Sequence, residues 1–242
     1  MNIALIFAGG TGKRMHSKTK PKQFLELHGK AIIIHTIENF EKHKDIDKIV
    51  VVCIEDWVPY LNQLIEKNHI CKVCDVIPGG RTGQESIYNG LKFISSNISV
   101  NPKEDIVLIH DGVRPLITDK LICENIQCVQ KYGNCITTSP AYETIIEIRP
   151  ENEIKTILDR SQCAYAKAPQ SFRLQEILGV HEKAMRDGNN NIIDSATMMK
   201  LYGYRLYTVS CGAENIKITT PSDFYIFRAI CEARENSQIW GV

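Results

Sequence analysis

The sequence has almost no net charge, with 29 basic and 28 acidic side chains among its 242 residues. A chain this close to neutral has no overall positive field of the kind that nucleic-acid-binding proteins use, so we expect no nucleic acid among its partners. It also has no apolar run near the roughly 18 to 20 residues that cross a bilayer, and no basic-then-apolar leader at its amino end. We therefore expect a cytoplasmic protein with no membrane partner.

A disulfide framework and a zinc module are both disfavoured, although the chain has nine cysteines. Seven are scattered singly, and several of them lie in apolar runs, where a free cysteine behaves as a small buried hydrophobic residue. Cys71 and Cys74 have the spacing of a metal or redox pair, but no second Cys/His pair accompanies them. Whether these two residues have a function stays open at this stage.

The sequence does contain a glycine-rich segment with Gly9, Gly10 and Gly12, directly after an apolar run over residues 2–8 that predicts a strand. Glycines let the backbone turn tightly and present consecutive N–H groups to a polyphosphate. Arg14 and Lys22 add positive charge nearby. The segment therefore indicates phosphate binding, with an ordinary glycine-rich turn as the alternative on this segment alone.

Two better-known glycine motifs do not fit this segment. In a P-loop, Phe7 would occupy the first glycine position and Arg14 the hydroxyl position. In a dinucleotide fingerprint that starts at Gly10, Met15 would occupy the third glycine position. The segment therefore belongs to neither class.

The rest of the chain alternates between strand and helix patterns. Strands are predicted at residues 2–8, 48–54, 72–77, 105–110, 134–139 and 205–210, and helices at residues 32–42, 58–67, 84–95 and 118–132. A last helix is predicted at residues 221–234, because Thr220, Pro221 and Asp223 form a well-signalled start, whereas residues 235–242 have no signal that we can interpret. This pattern predicts one α/β domain over residues 1–242, with a Rossmann-like, mostly parallel sheet and helices on both faces.

One segment, an insertion at about residues 140–168, breaks the alternation. Residues 144–149 and 154–158 are two β-patterned runs that predict a hairpin. Because a lone two-stranded hairpin is marginal in water, we expect it to pack on something. An ordinary β-ribbon on its own domain is the alternative.

Three loops at the carboxyl ends of predicted strands carry Gly, Asp, Arg and Lys residues. They span residues 9–22, 79–86 and 111–114. Ligand sites in open α/β sheets form at this edge, so we expect the three loops to converge on one site.

Six motifs in order resemble one family along nearly the whole chain. They are the glycine-rich segment with Pro21-Lys22-Gln23, Pro78-Gly79-Gly80 with Ser86, His110-Asp111-Gly112-Val113-Arg114-Pro115, Asp159-Arg160, Pro169-Gln170-Ser171-Phe172 with Asp194, and Asn215-Ile216-Lys217-Ile218-Thr219. This set resembles the cytidylyltransferases of sugar-alcohol phosphates, which include enzymes for 2-C-methyl-D-erythritol 4-phosphate and for ribitol 5-phosphate.

The resemblance implies transfer of CMP from CTP to a sugar-alcohol phosphate, with release of pyrophosphate and Mg²⁺ as the cofactor. It implies catalytic cations at Arg14, Lys22 and Lys217, and CTP contacts from Ala8, Gly9, Gly10, Thr11, Gly12, Gly80, Arg81, Ser86 and Asp111. The implied acceptor contacts are Asp111, Arg114, Thr144, Arg160, Asp194 and Lys217, with Asp111 also the candidate Mg²⁺ ligand. It further implies a homodimer in which the hairpin arm embraces the second subunit, so that Thr144 and Arg160 reach the acceptor phosphate there.

Departures from the family pattern concern the acceptor. Gly83 occupies an arginine position, Ala168 replaces a threonine, and Ile193 replaces a threonine of the erythritol enzymes. The spacing from Met15 to Lys22 matches the ribitol enzymes. We therefore predict D-ribitol 5-phosphate or a similar pentitol phosphate as the acceptor, with 2-C-methyl-D-erythritol 4-phosphate as the alternative. A nucleotide-binding protein without catalysis is the alternative from another class.

Overall fold

The computed structural model describes residues 1–10 and 20–240, with side chains described up to residue 236. Its strands are β1 (Asn2–Ala8), β2 (Glu26–Leu27), β3 (Lys30–Ala31), β4 (Lys48–Cys53), β5 (Val73–Pro78), β6 (Ile106–Asp111), β7 (Asn134–Pro140), β8 (Ile146–Ile148), β9 (Ile154–Ile157), β10 (Ala164–Arg173) and β11 (Thr208–Ser210). Its helices are α1 (Ile32–Lys42), α2 (Val58–Lys67), α3 (Gly83–Asn97), α4 (Asp119–Tyr132), α5 (Leu174–Arg186), α6 (Ser195–Leu201) and α7 (Pro221–Trp240). In this part of the chain, no helix is long and apolar enough to cross a membrane.

A seven-stranded sheet in the order β11-β7-β10-β6-β1-β4-β5 organises the described residues. β1 is an interior strand of this sheet and pairs in parallel with β4 and β6. β10 runs antiparallel to both of its neighbours, β6 and β7, and the other six strands share one direction. The predicted mostly parallel sheet is therefore confirmed.

No strand or helix is predicted between residues 159 and 204, where the structure has β10, α5 and α6. β10 has no apolar alternation, because Gln170 and Ser171 are buried in it and Pro169 interrupts it. The Ser171 hydroxyl donates to Asn125 Oδ1 at 2.9 Å inside the core. Polar burial of this kind hides a strand from a hydropathy pattern.

Helices cover both faces of the sheet, as predicted. On β1, Ala4 and Ile6 belong to a core cluster with α1, α2 and α4, whereas Ile3 and Leu5 belong to a second cluster with α3, α5 and α6. Side chains of one strand point alternately to the two faces, so a strand covered on both sides is apolar throughout. This explains why β1 was recognisable from sequence as a continuous apolar run.

Helix α7 begins where the sequence signals predicted and continues to Trp240, six residues beyond the predicted end. Asp223 Oδ2 accepts hydrogen bonds from the backbone N–H groups of Thr219 and Thr220 at 2.8 and 2.7 Å, which satisfies donors at the helix start. Phe227 is buried in a third cluster with Val113 and Ile218. The helix thereby holds the segment after residue 211 against the loop that follows β6.

The predicted hairpin is confirmed as β8 and β9, which pair antiparallel in a separate two-stranded sheet. All seven residues of the two strands are exposed. The exposed residues include Ile148 at 58%, Ile154 at 54% and Ile157 at 65% of their full accessible area. The arm therefore presents a row of isoleucines to its surroundings.

Candidate active site

The loops after β1 and β5 meet at Ser86 in the first turn of α3. A Cβ atom added to Gly9 would lie 3.1 Å from Ser86 Oγ, and one added to Gly79 would lie 3.0 Å from the same atom. The Gly80 N–H donates to Ser86 Oγ at 3.0 Å, and this hydroxyl donates to the Thr82 carbonyl at 2.9 Å. A side chain at position 9 or 79 would press on Ser86. Glycine at these two positions therefore lets the loops after β1 and β5 lie close to the start of α3.

The N-terminus of α3 is capped by Thr82, whose side chain accepts from the Glu85 N–H at 3.1 Å. The neighbouring Arg81 side chain is 94% exposed, and its Nε lies 3.6 Å from Glu85 Oε2. Polar side chains therefore surround the first turn of this helix beside the glycine loops, and the Arg81 guanidinium is exposed to solvent.

Asp111, at the carboxyl end of β6, is the centre of the charged site. Its Oδ1 lies 2.5 Å from Lys217 Nζ, and its Oδ2 accepts from Arg114 Nε at 2.7 Å. Arg114 also donates through Nη1 to the Asn215 carbonyl at 2.9 Å. Burial alone would raise the pKa of Asp111, but Lys217 and Arg114 outweigh it and hold the pKa at about 2. The carboxylate is therefore ionised throughout the physiological range.

Lys22 lies in a buried turn that connects the β1 end to the Lys217 segment. Its Nζ donates to the Ile218 carbonyl at 3.0 Å, next to Lys217 in the chain. The adjacent Gln23 donates through Nε2 to the Ala8 carbonyl at 2.7 Å, and Phe24 stacks on Trp57 with ring centroids 4.8 Å apart. The structure therefore places Lys22 at the same sheet edge as Asp111 and Lys217.

A cavity of about 370 Å³ opens beside this charged group. Asp111, Arg114, Asp194 and Lys217 line it, so four of the residues chosen from the sequence meet there. Asp194 caps α6 by accepting from the Thr197 N–H at 2.7 Å, and its second carboxylate oxygen accepts from Gln170 Nε2 at 3.2 Å. The concave site is thus polar on one wall and bordered by helix α6.

Three residues that line the same cavity are not among the predicted site residues, namely Lys167, Gln170 and Ser195. Gln170 was noted only as part of a motif, and Lys167 precedes that motif without any pattern of its own. Ile193 also lines the cavity and is 93% exposed. Gln170 pairs with Ile109 of β6, and Ser195 is the first residue of α6, so tertiary structure brings these residues to the same cavity.

Other residues chosen from the sequence lie apart from this cavity or cannot be placed. Thr144 and Arg160 are exposed at the base of the arm, where Arg160 Nη1 donates to the Tyr142 carbonyl at 2.7 Å. They are not among the residues that line the cavity of their own chain. Ala8, Gly9 and Gly10 stand at the end of β1, whereas Thr11, Gly12 and Arg14 lie outside the described residues.

His110 precedes Asp111 but faces the core. The ring is fully buried, packs on Phe40 at 5.1 Å, and donates through Nε2 to the Arg114 carbonyl at 3.1 Å. Burial lowers the pKa of this histidine to about 4, so the ring is neutral at pH 7. The ring therefore supports the loop that carries Arg114.

One group of metal-ligand side chains within the described residues lies elsewhere, at His43, Asp45 and Cys123. The Asp45 N–H donates to His43 Nδ1 at 3.2 Å, so the proton is on Nε2, which donates to the Asp119 carbonyl at 3.2 Å. Both ring nitrogens are therefore engaged, and the bond from Nε2 joins the end of α1 to the start of α4. This group lies near Asn2, at the opposite end of β1 from Asp111.

Comparisons with known proteins identify the family and the fold of the chain. The family model of 2-C-methyl-D-erythritol 4-phosphate cytidylyltransferase (IspD) matches residues 2–233. The chain is 54% identical to a ribitol-5-phosphate cytidylyltransferase of Vibrio parahaemolyticus and 48% identical to one of Streptococcus agalactiae, in both cases over 100% of each chain. Its fold is similar to the crystal structure of 4-diphosphocytidyl-2C-methyl-D-erythritol synthase from Anaerococcus prevotii, with a TM-score of 0.81, 24% identity and 96% of each chain covered.

Proposed function

The chain belongs to the family of 2-C-methyl-D-erythritol 4-phosphate cytidylyltransferases, and from that membership we propose that it transfers CMP from CTP to D-ribitol 5-phosphate or a similar pentitol phosphate. The products are the CDP-alcohol and pyrophosphate. The expected family and enzyme class are confirmed. The choice of a pentitol phosphate as the acceptor rests on the 54% identity, over the whole chain, to a ribitol-5-phosphate cytidylyltransferase.

The mechanism follows from bringing two polyanions together. A phosphate oxygen of the acceptor attacks the α-phosphorus of CTP, and the bond to pyrophosphate breaks. Such a reaction needs positioning and preorganised positive charge more than a nucleophilic residue. Lys22 and Lys217 supply this charge from neighbouring positions, since Lys22 Nζ binds the carbonyl directly after Lys217. Arg14 is proposed to join them, and the backbone of residues 9–12 to cradle the triphosphate.

In this proposal Asp111 positions the two cations that face the acceptor, Lys217 and Arg114. With both carboxylate oxygens in contact with Lys217 and Arg114, it fixes where their remaining N–H groups point. The buried ion pairs also explain why the pKa is about 2, which keeps this anchor charged when the substrate binds. Arg114 and Lys217 are proposed to contact the acceptor on the cavity side.

The residues present fit one Mg²⁺ ion that is shared with the substrate phosphates. A carboxylate has about four lone-pair positions, and the contacts with Lys217 and Arg114 use two of those on Asp111. Mg²⁺ is commonly held by one or two carboxylates, with phosphates and water completing its sphere. When bound, it would neutralise phosphate charge. Asp111 would be its protein ligand.

A homodimer is part of the proposal because the arm lacks a covering surface in its own chain. Five apolar side chains of this segment are at least 40% exposed, namely Ile146, Ile148, Ile154, Ile157 and Leu158. A two-stranded hairpin with that much exposed apolar area is stabilised by packing on another surface. Thr144 and Arg160 stand at the base of the arm, so a second copy that receives the arm would also receive these two polar side chains.

The alternative acceptor is 2-C-methyl-D-erythritol 4-phosphate, which is supported by the name of the matching family model. We expect a kcat/KM for D-ribitol 5-phosphate at least tenfold above that for the methylerythritol substrate, because a site that leaves buried polar groups unpaired discriminates by several kcal/mol. Pyrophosphate release at fixed CTP and Mg²⁺ measures both acceptors, with a reaction that lacks acceptor as the control. A tenfold preference for the methylerythritol substrate would make the pentitol assignment wrong.

The dimer is tested by subunit complementation. A mixture of Arg160→Ala and Lys22→Ala subunits should regain activity, because one site of each heterodimer then has both residues. Two separately tagged preparations of Lys22→Ala serve as the control and should stay inactive after the same exchange. If verified heterodimers of Arg160→Ala and Lys22→Ala show no more activity than this control, Arg160 does not act in the partner's site.

A further inference from the structure

We propose that Lys167 and Ser195 bind the polyol chain of the acceptor and determine the preference for its length. This inference rests on the proposed function, since it names how the same site would recognise a five-carbon acceptor. Both residues line the cavity beside Asp111, and neither was selected from the sequence.

Lys167 provides an ammonium group with hydrogen-bonding capacity to spare. Its Nζ donates to the Asn215 carbonyl at 3.2 Å, and none of the ion pairs among the described residues involves it. An ammonium has three donors, so two remain for a ligand. Burial lowers the pKa of Lys167, which reflects a side chain partly withdrawn from water into the cavity wall. A half-buried cation without a carboxylate partner is costly unless a ligand satisfies it.

The position of Lys167 assigns it to the polyol end of the acceptor. Arg114 and Lys167 share the Asn215 carbonyl, while Arg114 and Lys217 share the Asp111 carboxylate. The three cations are therefore linked in the order Lys217, Arg114, Lys167. If the acceptor phosphate lies at Lys217, as in the proposed function, the chain of hydroxyls extends past Arg114 toward Lys167.

Ser195 provides an independent observation at the same cavity. The residue is only 3% exposed, and its Oγ has no hydrogen-bond partner among the residues that the structure describes. A buried hydroxyl without a partner costs free energy, and native proteins rarely leave one without a reason. A substrate hydroxyl at this wall of the cavity would pair with Ser195 Oγ, either as donor or as acceptor.

Two other polar side chains of this wall, those of Asp194 and Gln170, already have hydrogen-bond partners. Asp194 accepts from Thr197 N–H and from Gln170 Nε2, and Gln170 Oε1 accepts from Ala196 N–H at 2.9 Å. Ala168 has no hydrogen-bonding side chain. Asp194 and Gln170 thus hold each other and the start of α6, whereas Lys167 has no carboxylate partner and Ser195 Oγ has no hydrogen-bond partner among the described residues.

The test compares acceptors of two lengths, D-ribitol 5-phosphate and D-erythritol 4-phosphate, in the full-length enzyme at saturating CTP. Lys167→Met keeps the length of the side chain and removes its donors, and Ser195→Ala removes the hydroxyl alone. We expect Lys167→Met to raise KM for ribitol 5-phosphate about tenfold or more, the scale of a lost hydrogen bond to a charged group, with kcat changed less than about threefold. Ser195→Ala should raise the same KM about threefold to tenfold. In both variants the preference for the longer acceptor should fall by a similar factor.

Lys103→Met is the matched control, because Lys103 is an exposed lysine that precedes β6 at the opposite end of that strand from Asp111. KM for CTP and the melting temperature should stay near wild type in all three variants. An unchanged acceptor KM in folded Lys167→Met and Ser195→Ala would overturn the inference. If wild type prefers 2-C-methyl-D-erythritol 4-phosphate, the proposed acceptor is wrong. The two residues are then judged by KM for that substrate, and an unchanged value again overturns their role.

Discussion

Replacement of Asp111 by asparagine should destabilise the protein in a way that disappears in acid. The variant keeps the shape of the side chain and removes the charge that Lys217 and Arg114 contact. These partners hold the pKa of Asp111 at about 2, against an ordinary value of 3.8. One pH unit corresponds to about 1.4 kcal/mol, so the ionised carboxylate contributes roughly 2 to 3 kcal/mol to the free energy of unfolding at pH 7.

The sign of the pH dependence follows from the lowered pKa. A carboxylate with a depressed pKa in the folded state contributes its full stabilisation above the unfolded pKa, here near 3.8, and loses it as the pH falls through the folded value of about 2. We therefore expect the difference in unfolding free energy between wild type and Asp111→Asn to be largest at pH 5 to 7. It should fall to roughly half at pH 3, because the carboxyl group is then mostly protonated in the unfolded state but still mostly ionised in the folded state.

Urea unfolding followed by circular dichroism at pH 7, 5, 4 and 3 measures this difference. Asp56→Asn is the matched control, because Asp56 is exposed near the start of α2, and its effect should stay within about 0.5 kcal/mol at every pH. A difference for Asp111→Asn that is below about 0.5 kcal/mol at pH 7, or that does not change with pH, would refute the argument. The first result would mean that the ion pairs contribute little, and the second that the loss comes from packing.

Two further predictions concern catalysis and packing. Lys22→Ala should lower kcat at least about 10²-fold, the scale of one lost transition-state contact, while CTP still binds; the control Lys30→Ala should leave kcat near wild type. Pyrophosphate release measures turnover and calorimetry measures CTP binding in each variant. Near-normal turnover of Lys22→Ala would exclude a catalytic role for Lys22. Gly90→Ala should destabilise by about 1 to 3 kcal/mol, because its Cβ would overlap Leu5 and lie 3.0 Å from Val52 Cγ2, whereas Gly179→Ala, with nothing within 4 Å, should be neutral or slightly stabilising. Thermal unfolding of the two glycine variants tests this, and equal effects would contradict the packing argument.

Much of the sheet could be predicted because its central strands are buried on both faces. β1 has the predicted bounds, and β4, β5, β6 and β7 lie within one residue of theirs at each end. A continuous apolar run is enough to find β1, β4 and β6, which are buried along nearly their whole length. β11 begins three residues later than predicted, at Thr208, because residues 205–207 precede its pairing with β7.

Residues of the candidate site could be predicted only where they belong to a recognisable sequence motif. Asp111, Arg114, Asp194 and Lys217 were selected through the family resemblance, and the structure brings them to one cavity. Lys167 and Ser195 belong to the same cavity but follow no motif of charge or spacing. A side chain of this kind becomes a candidate only when its unused hydrogen-bonding capacity and its neighbours are known.

The sequence by itself determined the family, the reaction class and the alternation of strands and helices, since glycine-rich turns, buried apolar strands and charged strand ends leave local patterns. Tertiary structure decided the rest, because contact between distant residues is not a local property. Asp111 and Lys217 are 106 positions apart, yet a distance of 2.5 Å between their charged atoms sets the pKa of the carboxylate. The antiparallel strand β10, with its buried Gln170 and Ser171, completes the cavity wall, and only the assembled sheet shows which side chains on that wall are free to bind a substrate.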